Sequence, residues 1–238
     1  MTKLINAADR HSTSAGWLNS YFLFSFADYY DPQNMHFGPL RVFNDDTIAA
    51  KSGFPQHPHS DMEIITIVLA GEIAHEDSLG NKTTISAGEV QRMTAGTGIV
   101  HSERNNTEEE VHMYQLWFIP NKQSLQPSYE QQRVDFLDTK NELIPLVSGQ
   151  KVLEDVVFMN SNSTVYYGNL KADKEINFQT FDIRKTFIYI TEGELLVNGV
   201  QAEKNDQLRI DNTKLIEIKA AQDARFILID VPAVEANY

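Results

Sequence analysis

Two stretches decide the reading of this chain: GFPQHPHSDMEIITIVLAG, residues 53–71, and GTGIVHSERN, residues 96–105. Side chains two apart on an extended strand project to one face, so His57 and His59 share a side, as do His101 and Glu103. Each short segment therefore offers two donors to one point. If the two strands face each other inside a small barrel, three imidazoles and a carboxylate converge at about 2.0–2.2 Å from a single ion. Octahedral iron held by four protein atoms keeps about two positions open, which a chelating substrate or dioxygen needs. An isolated HxH is a weak signal, and a histidine on an apolar face is more often a hydrogen-bonded core residue. Two such i, i+2 pairs, each beside a glycine-rich turn, argue for the metal. Glu63 has the parity of His57 and His59 and competes with Glu103 for the role of carboxylate donor.

Composition narrows the function classes. The 238 residues carry 20 basic and 33 acidic side chains, a net charge of −13, with no clustered Lys/Arg stripe. Direct binding to nucleic acid or to an anionic membrane surface is disfavoured. There is no cysteine, which excludes disulfides, thiolate ligands and a cysteine nucleophile and favours a reducing compartment. The amino-terminal segment has no apolar core, and runs such as IITIVLA and FILID have only strand length. Neither a signal peptide nor a transmembrane helix is expected, so the cytoplasm is the expected compartment.

Outside the histidine stretches the chain reads as strands and turns. LNSYFLFSF, residues 18–26, fits an early strand, and the Pro- and Gly-bearing segment 28–46 reads as a loop feeding a short strand over Leu40 to Phe43. His36 in that loop is expected to be a surface or packing residue. Glu63 to Leu69 reads as a buried strand broken by Gly71. EIAHEDSLGNKTTI, residues 72–85, reads as a hairpin whose Gly80 and Asn81 supply positive φ. Its His75, beside Glu76 and Asp77, is expected on a solvated edge. VHMYQLWFIP, residues 111–120, alternates as a strand, with His112 and Tyr114 on one face and expected to pack in the core. The polar run from residue 121 to 132 suggests a linker. The domain boundaries expected are 1–121, a linker over 122–140, and 141–238.

A hairpin recurs. AGEIAHEDSLGNKTTISAGEVQRM, residues 70–93, and EGELLVNGVQAEKNDQLRI, residues 192–210, share a plan of glycine, Glu, hairpin and turn, which argues for two copies of one β unit. Carrying the spacing from Gly71 to Gly193 back to the first motif places Gln179 and Phe181 at His57 and His59, and Lys185 at Glu63. The spacing from Gly88 to Asn205 places Ile218 at His101 and Ala220 at Glu103. No donor survives, and no histidine follows His112. Only the first copy is expected to keep the chemistry.

With these residues in view, HPH followed by Glu63, Gly71, and His101 with Asn105 beyond it resembles the paired motifs of the cupin superfamily. FGPLRVFNDD (37–46), GFPQHPHSDMEIIT (53–66), AGEVQRMTAGTGIVHSE (87–103) and PSYEQ (127–131) are similar to the pirin family over about half the chain. The resemblance implies an all-β bicupin of two antiparallel β-barrels, with a metal in the first one only. It implies His57, His59, His101 and Glu103 as the metal ligands, which favours Glu103 over Glu63. Gly96 stands where many cupins have proline. The resemblance further implies one divalent transition metal, Fe(II) before Mn, Ni, Cu, Co or Zn, and quercetin 2,3-dioxygenase activity on a flavonol with O2. Glu103 would accept the proton of the substrate hydroxyl, and Phe37, Phe54 and Trp117 are candidates to clamp a flat ring, with plain core packing the alternative for each. The competing expectation is a metal-binding regulatory protein that acts through protein partners without turnover. A small-molecule isomerase or lyase on the same scaffold is a third, since fold does not fix function.

Overall fold

The computed structural model describes residues 1–134, 136–150, 153 and 155–233. Asp135, within the expected linker, and residues 234–238, at the end of the expected second domain, lie outside the described residues. The first strands are β1 (Thr2–Ile5), β2 (His11–Ser14), β3 (Leu18–Phe22), β4 (Leu40–Ile48), β5 (Gly53–His59) and β6 (Glu63–Ala70). Next come β7 (Glu72–Asp77), β8 (Lys82–Ser86), β9 (Glu89–Thr94), β10 (Ile99–Arg104), β11 (Val111–Phe118) and β12 (Ser128–Arg133). The second half supplies β13 (Glu142–Ser148), β14 (Val157–Phe158), β15 (Thr164–Leu170), β16 (Glu175–Gln179) and β17 (Arg184–Glu192). It ends with β18 (Glu194–Val197), β19 (Val200–Glu203), β20 (Gln207–Asp211), β21 (Leu215–Ala220) and β22 (Ala224–Pro232). No α-helix occurs among the described residues, and no helix is long and apolar enough to cross a membrane.

The chain folds as two compact units. One comprises His11–Asp135 with Val157–Ser161, and the other Met1–Arg10, Phe136–Val156 and the chain from Asn162 onward. Each has a large and a small antiparallel sheet. In the first, the large sheet runs β12-β9-β6-β11-β4-β3-β2 and the small one β5-β10-β7-β8. In the second, the large sheet contains the run β1-β20-β17-β22-β15-β13, and the small one is β16-β21-β18-β19. The all-β, two-unit expectation is met, but the sheets do not close into barrels, because β5 and β8 at the edges of the small sheet make no ladder to the large one.

Three pieces of chain depart from the boundaries expected at 121 and 141, one of them Val157–Ser161, which joins the first unit. β1 pairs with β20 along its length, from Thr2 with Ile210 to Ile5 with Gln207, so the amino-terminal strand belongs to the second unit. Residues 122–140 include β12, which pairs with β9 from Ser128 with Thr94 to Arg133 with Glu89. Its glutamines and Glu130 look like linker residues because an edge strand wets one side; Gln131 Nε2 donates to the carbonyl of Thr84 and to Glu89.

Local chemistry explains the strands that position the site. β6, EIITIVLA, is buried at every position from Glu63 to Val68, so both faces of the apolar run are covered, while β9 and β11 pair with its two edges. In the β7–β8 turn Gly80 takes a positive φ of 93°, but Asn81 does not; its backbone and side-chain N–H groups donate to Asp77 instead. Gly96, in the cupin proline position, has φ of 46°, and a Cβ there would sit 2.0 Å from the carbonyl oxygen of Leu125. Glycine is needed there for close passage of the chain.

Pair register corrects part of the internal alignment. His57 stands opposite His101, and Ile99 opposite His59. In the second unit Ile176 stands opposite Ile218, and Phe178 opposite Ile216. With Ile218 kept at His101, as the spacing from Gly88 to Asn205 expects, Ile176 and Phe178, rather than Gln179 and Phe181, take the places of His57 and His59. The loops that join β5 to β6 and β16 to β17 differ in length, so an offset taken beyond the loop fails before it.

Candidate metal centre

β5 is the edge of the small sheet and β10 its neighbour, and their register sets the site. Gly53 opens β5 with φ of 157°, and a Cβ there would lie 2.2 Å from the carbonyl oxygen of Glu103, so only glycine lets the strands approach at that end. The ladder slips between His101 and Glu103, with Glu103 opposite Phe54. This bulge bends the strand beside the histidines. His57, His59 and His101 bring one ring nitrogen each within 4.8 Å of one another. Their ring centroids are 4.4–4.9 Å apart.

Hydrogen bonds leave one nitrogen of His57 and one of His101 free. His57 Nδ1 lies 2.8 Å from the carbonyl oxygen of Pro55, which fixes Nδ1–H as the donor and leaves Nε2 with a lone pair. On β7, His75 Nε2 donates to Asp77 Oδ2 at 3.0 Å, and His75 Nδ1 faces His101 Nδ1 at 3.5 Å. The chain Asp77, His75, His101 therefore leaves His101 Nε2 unprotonated. That atom is buried and has no hydrogen-bond partner, a situation costly for a polar atom unless something binds it. Burial, followed by the neighbouring His101 and His57, pushes His59 down to about 4. Burial, followed by His57 and His75, pushes His101 down to about 3. Both rings are neutral near pH 7, as metal ligands must be. Three imidazoles, two of them held neutral by burial and one of these with a buried unmatched nitrogen, fit a divalent metal.

The carboxylates separate cleanly. Glu103, 1 % exposed, is not one of the three residues whose donor atoms gather, but it borders the same cavity as His57 and His59. Its Oε2 accepts from Gln115 Nε2 at 2.8 Å and its Oε1 from Thr66 Oγ1 at 3.4 Å, while Gln115 Oε1 accepts from Trp117 Nε1. Glu63 is committed elsewhere: its Oε2 accepts from the backbone N–H of Asn160 at 2.9 Å and from Thr94 Oγ1 at 3.2 Å. Its burial pushes the carboxyl up, and these bonds oppose that.

A cavity of about 400 Å³ opens beside the histidines. Phe54 and Trp117 line it as expected, with Phe22 and Phe26 added from β3 and the chain after it. Phe37 does not line it; it is a buried residue bridged to Leu40. His75 corrects another expectation, being 2 % exposed rather than on a solvated edge. The signal was its parity, since Ile73, His75 and Asp77 alternate inward along β7. His36 sits in its loop with Nδ1 3.1 Å from the carbonyl of Gly38. His112 Nε2 bonds Asp45 at 2.7 Å, and Tyr114 packs edge-on against Phe43 in the core. Asn105 ties down loops by donating to the carbonyls of Ile48, Ala49 and Glu109.

Residues 5–118 match the family described as Pirin, and residues 146–231 match the quercetinase C-terminal cupin domain. A quercetin 2,3-dioxygenase of Escherichia coli K12 is 41 % identical over 235 residues, covering 98 % of this chain and 100 % of that protein. The chain belongs to the pirin family. A pirin-like protein of Caulobacter vibrioides is 40 % identical, covering 90 % of this chain and 93 % of its own. The crystal structure of the bacterial pirin YhhW of Escherichia coli in complex with nickel(II) superposes with a TM-score of 0.93 at 40 % identity, covering 98 % of this pirin and 100 % of that chain. A quercetin 2,3-dioxygenase of Acinetobacter baumannii, 21 % identical with a TM-score of 0.77 and covering 97 % and 79 % of the two chains, shares the fold.

Proposed function

We propose that this pirin is a metal-dependent dioxygenase that opens the central ring of a flavonol such as quercetin with dioxygen. The observation that carries the reading is the meeting of three imidazoles, two of which, His57 and His59, stand in the wall of an aromatic-lined cavity. Its support from relatives is the full-length identity to a protein named quercetin 2,3-dioxygenase. His57, His59 and His101 would hold the ion, and Glu103 would complete the set. Iron(II) is the ion proposed, because three nitrogens and one oxygen leave about two positions of an octahedron open; Mn, Ni, Cu, Co and Zn suit the same donors, and nickel is bound by the YhhW relative. When bound, a divalent ion supplies a Lewis acid that lowers the pKa of a coordinated hydroxyl.

The chain's own groups do the rest. Phe26, Phe54 and Trp117 hold a flat ring system and exclude water from it. Glu103 accepts the proton of the substrate 3-hydroxyl at Oε1, its less engaged oxygen, while Gln115 holds Oε2 in place. The electron-rich flavonolate that remains is the form that reacts with dioxygen.

The test loads purified protein with each of the six ions separately, mixes it with quercetin under air and follows loss of the flavonol absorbance. Turnover with iron(II) is expected. Glu103→Gln should lower turnover by about 10²–10⁴-fold, the usual contribution of a positioned base. Absence of turnover with every ion would overturn the reading.

A further inference from the structure

The proposed chemistry uses one end of the cavity and leaves a second polar group unexplained. Asn44 and Asp46 lie two apart on β4, so both project to the same face. Both border the cavity and are 3 % and 1 % exposed. Across the ladder, β3 sets Ser20 opposite Asp46 and Phe22 opposite Asn44, and Ser20 Oγ donates to Asp46 Oδ1. On the other flank Gln115 lies opposite Asn44. The Asn44 Oδ1 is buried and without a hydrogen-bond partner. A buried amide oxygen left unmatched loses its hydration with nothing in return, and nothing in the proposed reaction repairs it.

We propose that Asn44 and Asp46 form a specificity subsite for a hydroxyl on an outer ring of the substrate, so that the cavity selects polyhydroxylated aromatic ligands over unsubstituted ones. The inference rests on the flavonol reading and deepens it. A phenolic hydroxyl both donates and accepts: its hydrogen satisfies Asn44 Oδ1, and its oxygen accepts from the Asp46 carboxyl. Burial pushes Asp46 up to about 7, which supports the second bond by keeping a proton on that carboxyl near neutral pH. A site built to bond a hydroxyl discriminates against the analogue that lacks it, because its buried polar groups are then left bare.

The experiment measures binding apart from turnover. Protein loaded with redox-inert Zn²⁺ is titrated with quercetin, which carries outer-ring hydroxyls, and with 3-hydroxyflavone, which does not, following tryptophan fluorescence. Wild type should bind quercetin at least about tenfold more tightly. Asn44→Leu should cut that ratio to about threefold or less while leaving the 3-hydroxyflavone Kd in place. Asp46→Leu should do the same, and Asp46→Asn, which keeps a donor, should restore the preference. A wild-type ratio near one, or a ratio unchanged in Asn44→Leu and Asp46→Leu, overturns the subsite and leaves the dioxygenase reading standing. Binding of neither flavonol by wild type overturns both. The wild-type ratio decides even if a leucine variant does not fold.

Discussion

The small sheets β5-β10-β7-β8 and β16-β21-β18-β19 are wired alike, yet their interiors are opposites. With Ile218 and Ala220 placed at His101 and Glu103 by the spacing, register sets Ile176 and Phe178 where His57 and His59 stand. Leu195 and Val197 of β18 stand opposite Ala220 and Ile218, as His75 and Asp77 of β7 stand opposite Glu103 and His101. Leu195, Val197, Ile218 and Ala220 join one continuous apolar cluster, with Ile176 and Phe178 packed against it. The second interior is plugged with hydrocarbon, and each fully buried Ile or Leu there contributes about 1.5–3 kcal/mol. The first unit forgoes that and divides its apolar side chains between separate clusters, one around Ile48, Val68 and Met113 and another around Ile64, Met93 and Ile99. One scaffold thus serves as a reactive cavity or as a packed core, according to six inward positions.

The contrast can be broken most forcefully at its matched centre. His101→Ala should abolish metal retention, a loss beyond the about 100-fold typical of outer-sphere changes, read by metal analysis after desalting; a variant that keeps stoichiometric metal would refute the ligand role. Its counterpart Ile218→Ala should leave metal binding untouched and cost about 2–5 kcal/mol in denaturant unfolding. Equal unfolding midpoints for wild type and Ile218→Ala would show that the second interior is not the packed core described. Replacing His75 by its counterpart, His75→Leu, removes the partner of His101 Nδ1 and should weaken metal affinity by about 10–100-fold in chelator competition. Unchanged affinity would mean that the Asp77, His75, His101 chain does not orient the ligand.

The smallest effect is in pH. Asp46 is raised by burial from 3.8 to about 7. A carboxyl raised on folding favours the folded state at low pH, and that contribution is lost as pH climbs from 3.8 through 7. Asp46→Asn should therefore melt higher than wild type at pH 8, with the gap shrinking toward pH 4. A gap that is constant with pH would show that Asp46 titrates normally.

Much of the site was legible because strand parity is local. His57 with His59, and His101 with Glu103, needed only the alternation of an extended chain, and the repeated hairpin needed only its glycines. What escaped depended on partners far away in sequence. His75 looks solvated beside Glu76 and Asp77 although it shares the inward parity of Ile73, and its partner His101 lies 26 residues on. Spacing places Gln179 and Phe181 at His57 and His59 because it counts loop residues, whereas hydrogen-bond register does not. β12 was read as a linker because an edge strand can be polar on both faces. Nothing in TKLI, residues 2–5, says that its partner is β20, more than two hundred residues away.

The crossed segments impose an order of events on the nascent chain. Residues 11–135 can emerge from the ribosome with every histidine in place while Glu63 still lacks the Asn160 N–H that caps its carboxylate. β1, the first strand made, must wait for β20 before its ladder exists. No single cut in the gene separates the two units, because the second is assembled from chain on both sides of the first, so the two halves cannot both be complete folds.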